Sequence, residues 1–139
     1  MRRIPVLFVL IGLVLTAALF AGDPVKEKAA TEAAKKWLAL VDEGKYAESW
    51  KASSEIFRGA ITSEKWDQAL QGIRKPLGKV VSRKALNAIY TTSVPGAPEG
   101  EYVTIQFETA FENKAGAVET ITPMLEKDGG WRVAGYFIK

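Results

Sequence analysis

Two glutamates inside predicted β-strands are the strongest candidates for chemistry in this sequence. Residues 117–126 read AVETITPMLE, and their apolar side chains predict a buried strand into which Glu119 brings a carboxylate. Glu108 lies in the middle of the preceding predicted strand. A buried glutamate has a raised pKa and can act as a general acid beside a tyrosine, bind a ligand, or form half of an ion pair.

Arginines in the neighbouring strands are the expected partners of Glu119. Arg83 lies between Val81 and Ala85 in the alternation of its strand, and Arg132 lies in the last strand. An unpaired carboxylate in apolar surroundings is costly, and a guanidinium can satisfy both of its oxygens. We therefore expect an ion pair between Glu119 and an arginine. A catalytic or ligand-binding role for Glu119 is the alternative.

Composition removes several kinds of chemistry, because the chain contains neither cysteine nor histidine. Disulfides, thiol catalysis, the usual base at neutral pH and the commonest metal ligands are absent. The aspartates are expected at helix ends, in the first turns of a helix and in a hairpin, not inside strands: Asp23, Asp42, Asp67 and Asp128. We expect no catalytic residue, no cofactor and no metal site. A pocket enzyme that uses Glu and Tyr is the alternative.

A small-molecule ligand between the helices and the sheet is a further expectation. The residues that could contact it are Glu119, Glu108, Arg83, Arg132, Tyr46 and Trp50. The four tryptophans also fall at the spacing of core residues, so packing explains them better than ligand binding does.

A basic run, RKPLGKVVSRK, covers residues 74–84. It could bind an anionic component of the cell envelope, such as a lipid headgroup, a glycan or a nucleotide phosphate. Lysines predominate in it, and no Gly-rich phosphate loop accompanies them. We therefore interpret most of the run as a solvated helix end and strand edge.

The N-terminus has the pattern of a secretory signal peptide. Two arginines precede an apolar run from Ile4 to Phe20, and small residues follow it. We expect cleavage after Ala21, a single mature domain over residues 22–139, a periplasmic or secreted location and no stable membrane anchor after cleavage; a retained anchor is the alternative. The chain has 19 basic and 16 acidic residues, so loss of Arg2 and Arg3 leaves 17 against 16, which does not favour a nucleic-acid partner.

The periodicity of the remaining sequence predicts an α+β fold. Helices are expected from Pro24 to about Gly44, over Tyr46–Ser53, and from Thr62 or Ser63 to Pro76. Four strands follow, joined by turns rich in Gly, Pro and Asn: Val80–Thr92, Glu101–Glu112, Ala117–Lys127 and Trp131–Lys139. Short connections predict an antiparallel meander, and the length of the strands predicts a curved sheet.

Both faces of this sheet are expected to bear apolar side chains. In the last strand, alternation places Val133 and Phe137 on one face and Tyr136 and Ile138 on the other. If Ala117, Ile121 and Leu125 point to the core, Glu119 is buried with them. If Val118 and Met124 do, Glu119 lies on the second face with Tyr136 and Ile138. Because helices can cover one face only, we expect a weak homodimer through the sheet.

Several strings resemble the bacterial domain-of-unknown-function family 4019: YAESW, RKPLG, VPGAPEGEY, FENK and VETITPMLEKDGGWRVAGY. The segment LVDEGKYAESW also resembles the helix–Gly–x–Tyr opening of the NTF2-like superfamily, although Lys45 stands where an Asp often precedes the Tyr. The resemblance implies a cone-shaped fold with N-terminal helices packed on a curved four-stranded sheet. Some NTF2-like relatives are isomerases or dehydratases that use an Asp, or an Asp with a His, as base. Family 4019 has no assigned activity.

These observations together predict an exported cell-envelope domain. Its expected role is non-catalytic binding or structural support. A pocket enzyme, or an interaction module that uses the second sheet face, is the alternative.

Overall fold

The computed structural model describes residues 22–139, which form four α-helices, one 3-10 turn and four β-strands. In chain order they are α1 (Pro24–Asp42), α2 (Tyr46–Lys51), α3 (Glu55–Ala60), α4 (Ser63–Ile73), the 3-10 turn (Lys75–Leu77), β1 (Val80–Thr91), β2 (Tyr102–Phe111), β3 (Lys114–Leu125) and β4 (Trp131–Ile138). The predicted α+β class is confirmed. The predicted signal peptide, residues 1–21, lies outside the described residues.

Helix caps explain where the helices begin. The Asp23 carboxylate accepts a hydrogen bond from the Lys26 N–H at 3.1 Å, and the Thr62 hydroxyl accepts one from the Lys65 N–H at 3.2 Å, as side-chain caps do. Helix α3 was not predicted from the sequence. Its signal is Ser54, whose hydroxyl caps the helix by accepting from the Phe57 N–H at 3.2 Å. Among residues 22–139, no helix combines the length and apolar character needed to cross a membrane.

The sheet is an antiparallel meander in the order β1-β2-β3-β4, as predicted. Strand bounds differ from the predicted ones by one or two residues, except that β3 begins at Lys114 instead of Ala117. The β2–β3 hairpin is therefore a two-residue turn at Glu112 and Asn113.

One face of the sheet packs against the helices and contains the core. Alternate side chains of β2, Val103, Ile105 and Phe107, are buried there as predicted. Leu38 and Val41 of α1 pack in the same cluster. Burial of this apolar surface is the main favourable contribution to folding.

A bulge in β4 changes which face its side chains occupy. Thr122 pairs with Gly135 and Pro123 pairs with Val133, so Ala134 is an extra residue in the ladder. One extra residue moves every later side chain to the opposite face.

The aromatic residues of β4 therefore lie where alternation did not predict them. Tyr136 packs against the core, with its ring centroid 5.2 Å from that of Trp37, and Ile138 pairs with the buried Glu119. Phe137 is 57 % exposed. The prediction that Phe137 shares the face of Val133, with Tyr136 and Ile138 opposite, is wrong. Tyr136 and Ile138 therefore cannot form the contacts of the homodimer that was expected through them.

The face of the sheet away from the helices is largely polar. Cross-strand pairing places Asn87, Gln106, Thr120 and Phe137 in one row across the four strands. The Asn87 amide donates to the Gln106 carbonyl oxygen at 3.0 Å. We refer to this row as the outer-face row.

Candidate functional site

Glu119 lies on the inner face of β3, within the stretch AVETITPMLE. It pairs with Phe107 of β2 and with Ile138 of β4, and its side chain is 0 % exposed. Ala117 and Ile121 share its face and are also buried. The first of the two orientations considered for this strand is therefore the observed one.

Three side chains satisfy the Glu119 carboxylate. The Arg83 Nε donates to Oε1 at 2.7 Å, and the Thr109 hydroxyl donates to the same oxygen at 2.6 Å. The Tyr136 hydroxyl donates to Oε2. The predicted ion pair between Glu119 and an arginine is confirmed, and the arginine is Arg83.

The ion pair continues into a second carboxylate and a second arginine. Arg83 donates from Nη1 to Asp42 Oδ2 at 2.7 Å and from Nη2 to Oδ1 at 3.0 Å. Arg74 donates from Nη2 to Asp42 Oδ1 at 3.2 Å. We call these four residues, Glu119, Arg83, Asp42 and Arg74, the ion cluster. Two carboxylates and two guanidinium groups leave it electrically balanced.

Arg74 is fixed from several sides. Its Nη1 donates to the Gly78 carbonyl oxygen at 2.6 Å, and its guanidinium lies 4.6 Å from the centre of the Phe111 ring. Its side chain is 4 % exposed. A guanidinium stays charged at any physiological pH, so Arg74 holds Asp42 permanently in place for Arg83.

The surroundings keep Arg83 charged. Burial lowers the pKa of its guanidinium, but the hydrogen bonds to Asp42 and Glu119 outweigh burial and raise the pKa above its ordinary value. Arg83 is therefore a permanent cation in contact with both carboxylates.

Tyr136 is kept neutral by the same surroundings. Burial, and next the negative charge and hydrogen bond of Glu119, raise the pKa of its phenol far above neutrality. At neutral pH it is a hydrogen-bond donor that is already directed at Glu119, so the pair has the form of a structural contact more than of a poised acid and base.

Three elements and the residue that follows a fourth bring the cluster together. Asp42 is the last residue of α1, Arg74 follows α4, Arg83 lies in β1 and Glu119 in β3. Asp42 and Arg74 were not among the candidate site residues predicted from the sequence. Each stands at a helix end, where a charged residue has an ordinary explanation, so the sequence gives no sign that they meet.

Two of the predicted site residues lie away from Glu119. Glu108 is exposed on the outer face, paired with Lys84 and Val118. Arg132 instead clamps the β3–β4 hairpin. It donates to Glu126 at 2.9 Å and forms a two-point contact with Asp128 at 2.8 and 2.9 Å.

The aromatic candidates have mainly a packing role. Tyr46 is 6 % exposed in the core, and the Trp50 Nε1 donates to the Ile61 carbonyl oxygen at 2.8 Å. Between α1 and the sheet, Trp37 contacts Phe57, Trp66 and Tyr136 with ring centroids 5.2–6.4 Å apart. A cleft of about 440 Å³, lined by Trp37, Arg132 and Val133, lies beside these rings where α1 meets β4.

Two surface clefts flank the ion cluster. Asp42 and Arg74, together with Tyr46, line a cleft of about 310 Å³. Arg83 and Glu108 line another of about 560 Å³, beside Ala115 and Gly116. Within residues 22–139, no three or more acidic side chains converge in a way that could hold a metal ion.

A family model matches residues 33–136 and bears the description of a protein of unknown function, DUF4019. The chain belongs to the DUF4019 family. The match covers most of the described elements and all four residues of the ion cluster. No curated protein matches the chain.

Proposed function

We propose that this DUF4019 protein is an exported module of the cell envelope that acts by binding or structural support and not by catalysis. One observation supports the non-catalytic role most strongly. Both oxygens of Glu119 accept hydrogen bonds from protein side chains, and the residue is 0 % exposed. A general acid or base must come within hydrogen-bond distance of its substrate.

The hydrogen bond between Tyr136 and Glu119 is the observation that favours the alternative, a pocket enzyme with Glu and Tyr. Such an enzyme would need room for a substrate beside the pair. Trp37 packs against Tyr136, and Arg83 covers the other side of the carboxylate. The arrangement therefore supports a structural role for Glu119.

Because aromatic side chains pack against one another under α1, we place the proposed ligand in a surface cleft. The cleft lined by Asp42, Arg74 and Tyr46 is about 310 Å³, which is within the size range of small-molecule sites. A small ligand bound there would contact the ion cluster without entering the core.

The N-terminal sequence supports export. One preparation of the protein tests both export and the presence of a ligand. Protein recovered from the native envelope is sequenced at its N-terminus, and the small molecules that it retains are identified by mass spectrometry. We expect a start close to Gly22. Intact Met1 or Arg2 in a membrane fraction would contradict cleavage. A retained molecule that the protein converts, with conversion lost in Glu119→Gln, would establish the enzyme instead.

A further inference from the structure

The charges of the chain are unevenly distributed around β1. Residues 68–98 contain no aspartate or glutamate, although the chain has 16 acidic residues in all. The same segment contains five cations: Arg74, Lys75, Lys79, Arg83 and Lys84. It includes the end of α4, the 3-10 turn and the whole of β1.

Only the lysines of this segment are available to a partner. Arg74 and Arg83 are held by Asp42 in the ion cluster. Lys75, Lys79 and Lys84 are exposed, and none of the ion pairs among residues 22–139 includes them.

Large apolar side chains are exposed in the same segment as these lysines. Ile73, Val81, Leu86 and Ile89 are 58, 69, 47 and 55 % exposed. The other exposed large hydrophobic side chains in residues 22–139 are distributed over α1, α3 and β4: Val25, Ile56 and Phe137, of which Ile56 is only 37 % exposed. Concentration of four such side chains in one short segment calls for an explanation beyond ordinary surface composition.

Protection of a sheet edge explains part of the pattern. β1 pairs with β2 on one side only, and proteins commonly use lysines and bulges to prevent such edges from pairing with other chains. Two register shifts in β1 leave Val81 and Leu86 as the extra residues. A bulge that serves only for protection has no need of an exposed aliphatic side chain at its extra position. Both bulges here have one.

We propose that this surface binds peripherally to an anionic lipid bilayer. We call it the β1 edge and define it by Ile73, Lys75, Lys79, Val81, Lys84, Leu86 and Ile89. Lysines are attracted to the negative surface potential of anionic lipids, and exposed aliphatic side chains enter the boundary between headgroups and acyl chains. Residues 68–98 themselves bring no carboxylate to this surface, and the flanking acidic residues are Glu108, which pairs with Lys84, and Glu112, which accepts a hydrogen bond from the Lys79 N–H.

A bilayer fits this surface better than an acidic protein does. The four aliphatic side chains are spread along residues 73–89, without the central aromatic or arginine anchors that dominate protein–protein contacts. The proposal rests on the proposed function to the extent that export brings the protein to an envelope membrane.

The test is co-sedimentation of residues 22–139 with vesicles. This segment contains every described element and the whole hydrophobic cluster from Ala30 to Val133, and it lacks the apolar run of residues 4–20. Vesicles of phosphatidylcholine alone are compared with vesicles that also contain phosphatidylglycerol, at low and high salt. We expect binding to the anionic vesicles at low salt, weakened by salt and absent from the neutral vesicles.

Matched variants separate the β1 edge from net charge. The charge variant is Lys75→Gln, Lys79→Gln, Lys84→Gln, and its control has the same charge change elsewhere: Lys28→Gln, Lys65→Gln, Lys127→Gln. Each lysine near an anionic membrane strengthens binding about fivefold. We therefore expect the charge variant to bind at least about tenfold more weakly, and the control to change by about twofold or less.

The apolar variant Val81→Ser, Leu86→Ser should lose binding that Val25→Ser, Ile56→Ser retains. All these side chains are exposed, so circular dichroism melts should remain close to those of the parent.

Equal losses of binding in the charge variant and its control would mean that only net charge matters, and would overturn the proposal. Lack of vesicle binding, or self-association through Val81 and Leu86 without lipid, would overturn it as well. Neither result bears on export, which N-terminal sequencing decides separately.

Discussion

At the residue scale, Glu119 and Arg83 each require the other. Glu119 is 0 % exposed, and the Arg83 side chain is 16 % exposed, so water can solvate neither charge well. Taking such groups out of water costs several kcal/mol per ion, which only good geometry and further hydrogen bonds offset. Thr109, Tyr136 and Asp42 supply those further bonds.

Removing the charge of Glu119 should therefore destabilise the fold. We expect Glu119→Gln to lower the free energy of unfolding by about 3–5 kcal/mol, because it leaves a buried guanidinium without one of its two carboxylates. Urea denaturation followed by circular dichroism measures the change. Glu108→Gln is the matched control, and since Glu108 is exposed it should change stability by less than about 0.5 kcal/mol. Unchanged stability in Glu119→Gln, with loss of a retained ligand, would instead assign Glu119 a binding role.

A double-mutant cycle isolates the contact itself. We expect Glu119→Gln combined with Arg83→Gln to cost less than the sum of the single changes, by about 0.5–3 kcal/mol, because the double variant leaves neither charge buried alone. The four unfolding free energies give this coupling directly. Additive costs would mean that the two side chains stabilise the protein independently of their 2.7 Å contact.

Asp128 offers a test by titration. The hydrogen bonds from the Arg132 side chain, and next from the Gly130 N–H, lower the pKa of its carboxyl from 3.8 to about 2. Because the folded pKa is depressed, the contact stabilises the fold fully above pH 3.8 and is lost as pH falls through about 2. We expect the NMR titration of the Asp128 carboxyl carbon to have its midpoint near 2, and to move up in Arg132→Gln. The control Lys127→Gln removes a neighbouring cation that makes no such bond, and it should leave the midpoint in place.

At the element scale, one bulge decides the role of the last strand. The extra residue Ala134 brings Tyr136 to the inner face, where it reaches both Trp37 and Glu119. Without the bulge, Phe137 would point to the core and the phenol to solvent. The ion cluster would then lose a hydrogen-bond donor.

Truncation of the two adjacent rings tests this register. We expect Tyr136→Ala to cost about 3 kcal/mol of unfolding free energy, because the partly buried ring packs against the core and its hydroxyl bonds to Glu119. Phe137→Ala is the matched control, and since Phe137 is 57 % exposed it should cost less than about 1 kcal/mol. Thermal or urea unfolding of the two variants measures both. A larger cost for Phe137→Ala would restore simple alternation along β4.

The sequence predicts regular parts of this fold and fails where one residue breaks the regularity. Alternation in β2 and the caps at Asp23 and Thr62 follow local rules, so the strand face and the helix starts could be read from residue types. The bulge at Ala134 cannot be predicted from residue types, because it depends on how β3 and β4 pair. The same holds for the candidate site: an arginine partner for Glu119 follows from the cost of a buried charge. Its link to Asp42 depends on tertiary packing of α1 against β1.

At the scale of the whole molecule, the two edges of the sheet differ in charge and composition. β1 presents lysines with aliphatic side chains, whereas β4 presents Phe137 at the end of the outer-face row. The rest of that row, Asn87, Gln106 and Thr120, is uncharged. A two-fold symmetric contact brings the same residues together from both copies. Because this row is uncharged, two copies of the chain would meet there without like-charge repulsion.

We therefore propose that the weak homodimer expected through the sheet forms at the outer-face row, with Phe137 as its main apolar contact. A polar face with one exposed ring buries little apolar area, so the dimer should be weak and should dissociate on dilution. Sedimentation velocity over a range of concentrations should show a rising average mass, and Phe137→Ser should abolish the rise. Val25→Ser removes an even more exposed aliphatic side chain from the start of α1 and should leave the rise unchanged. A monomer at the highest practical concentration would exclude the dimer, and loss of the rise in both variants would point to unspecific hydrophobic association.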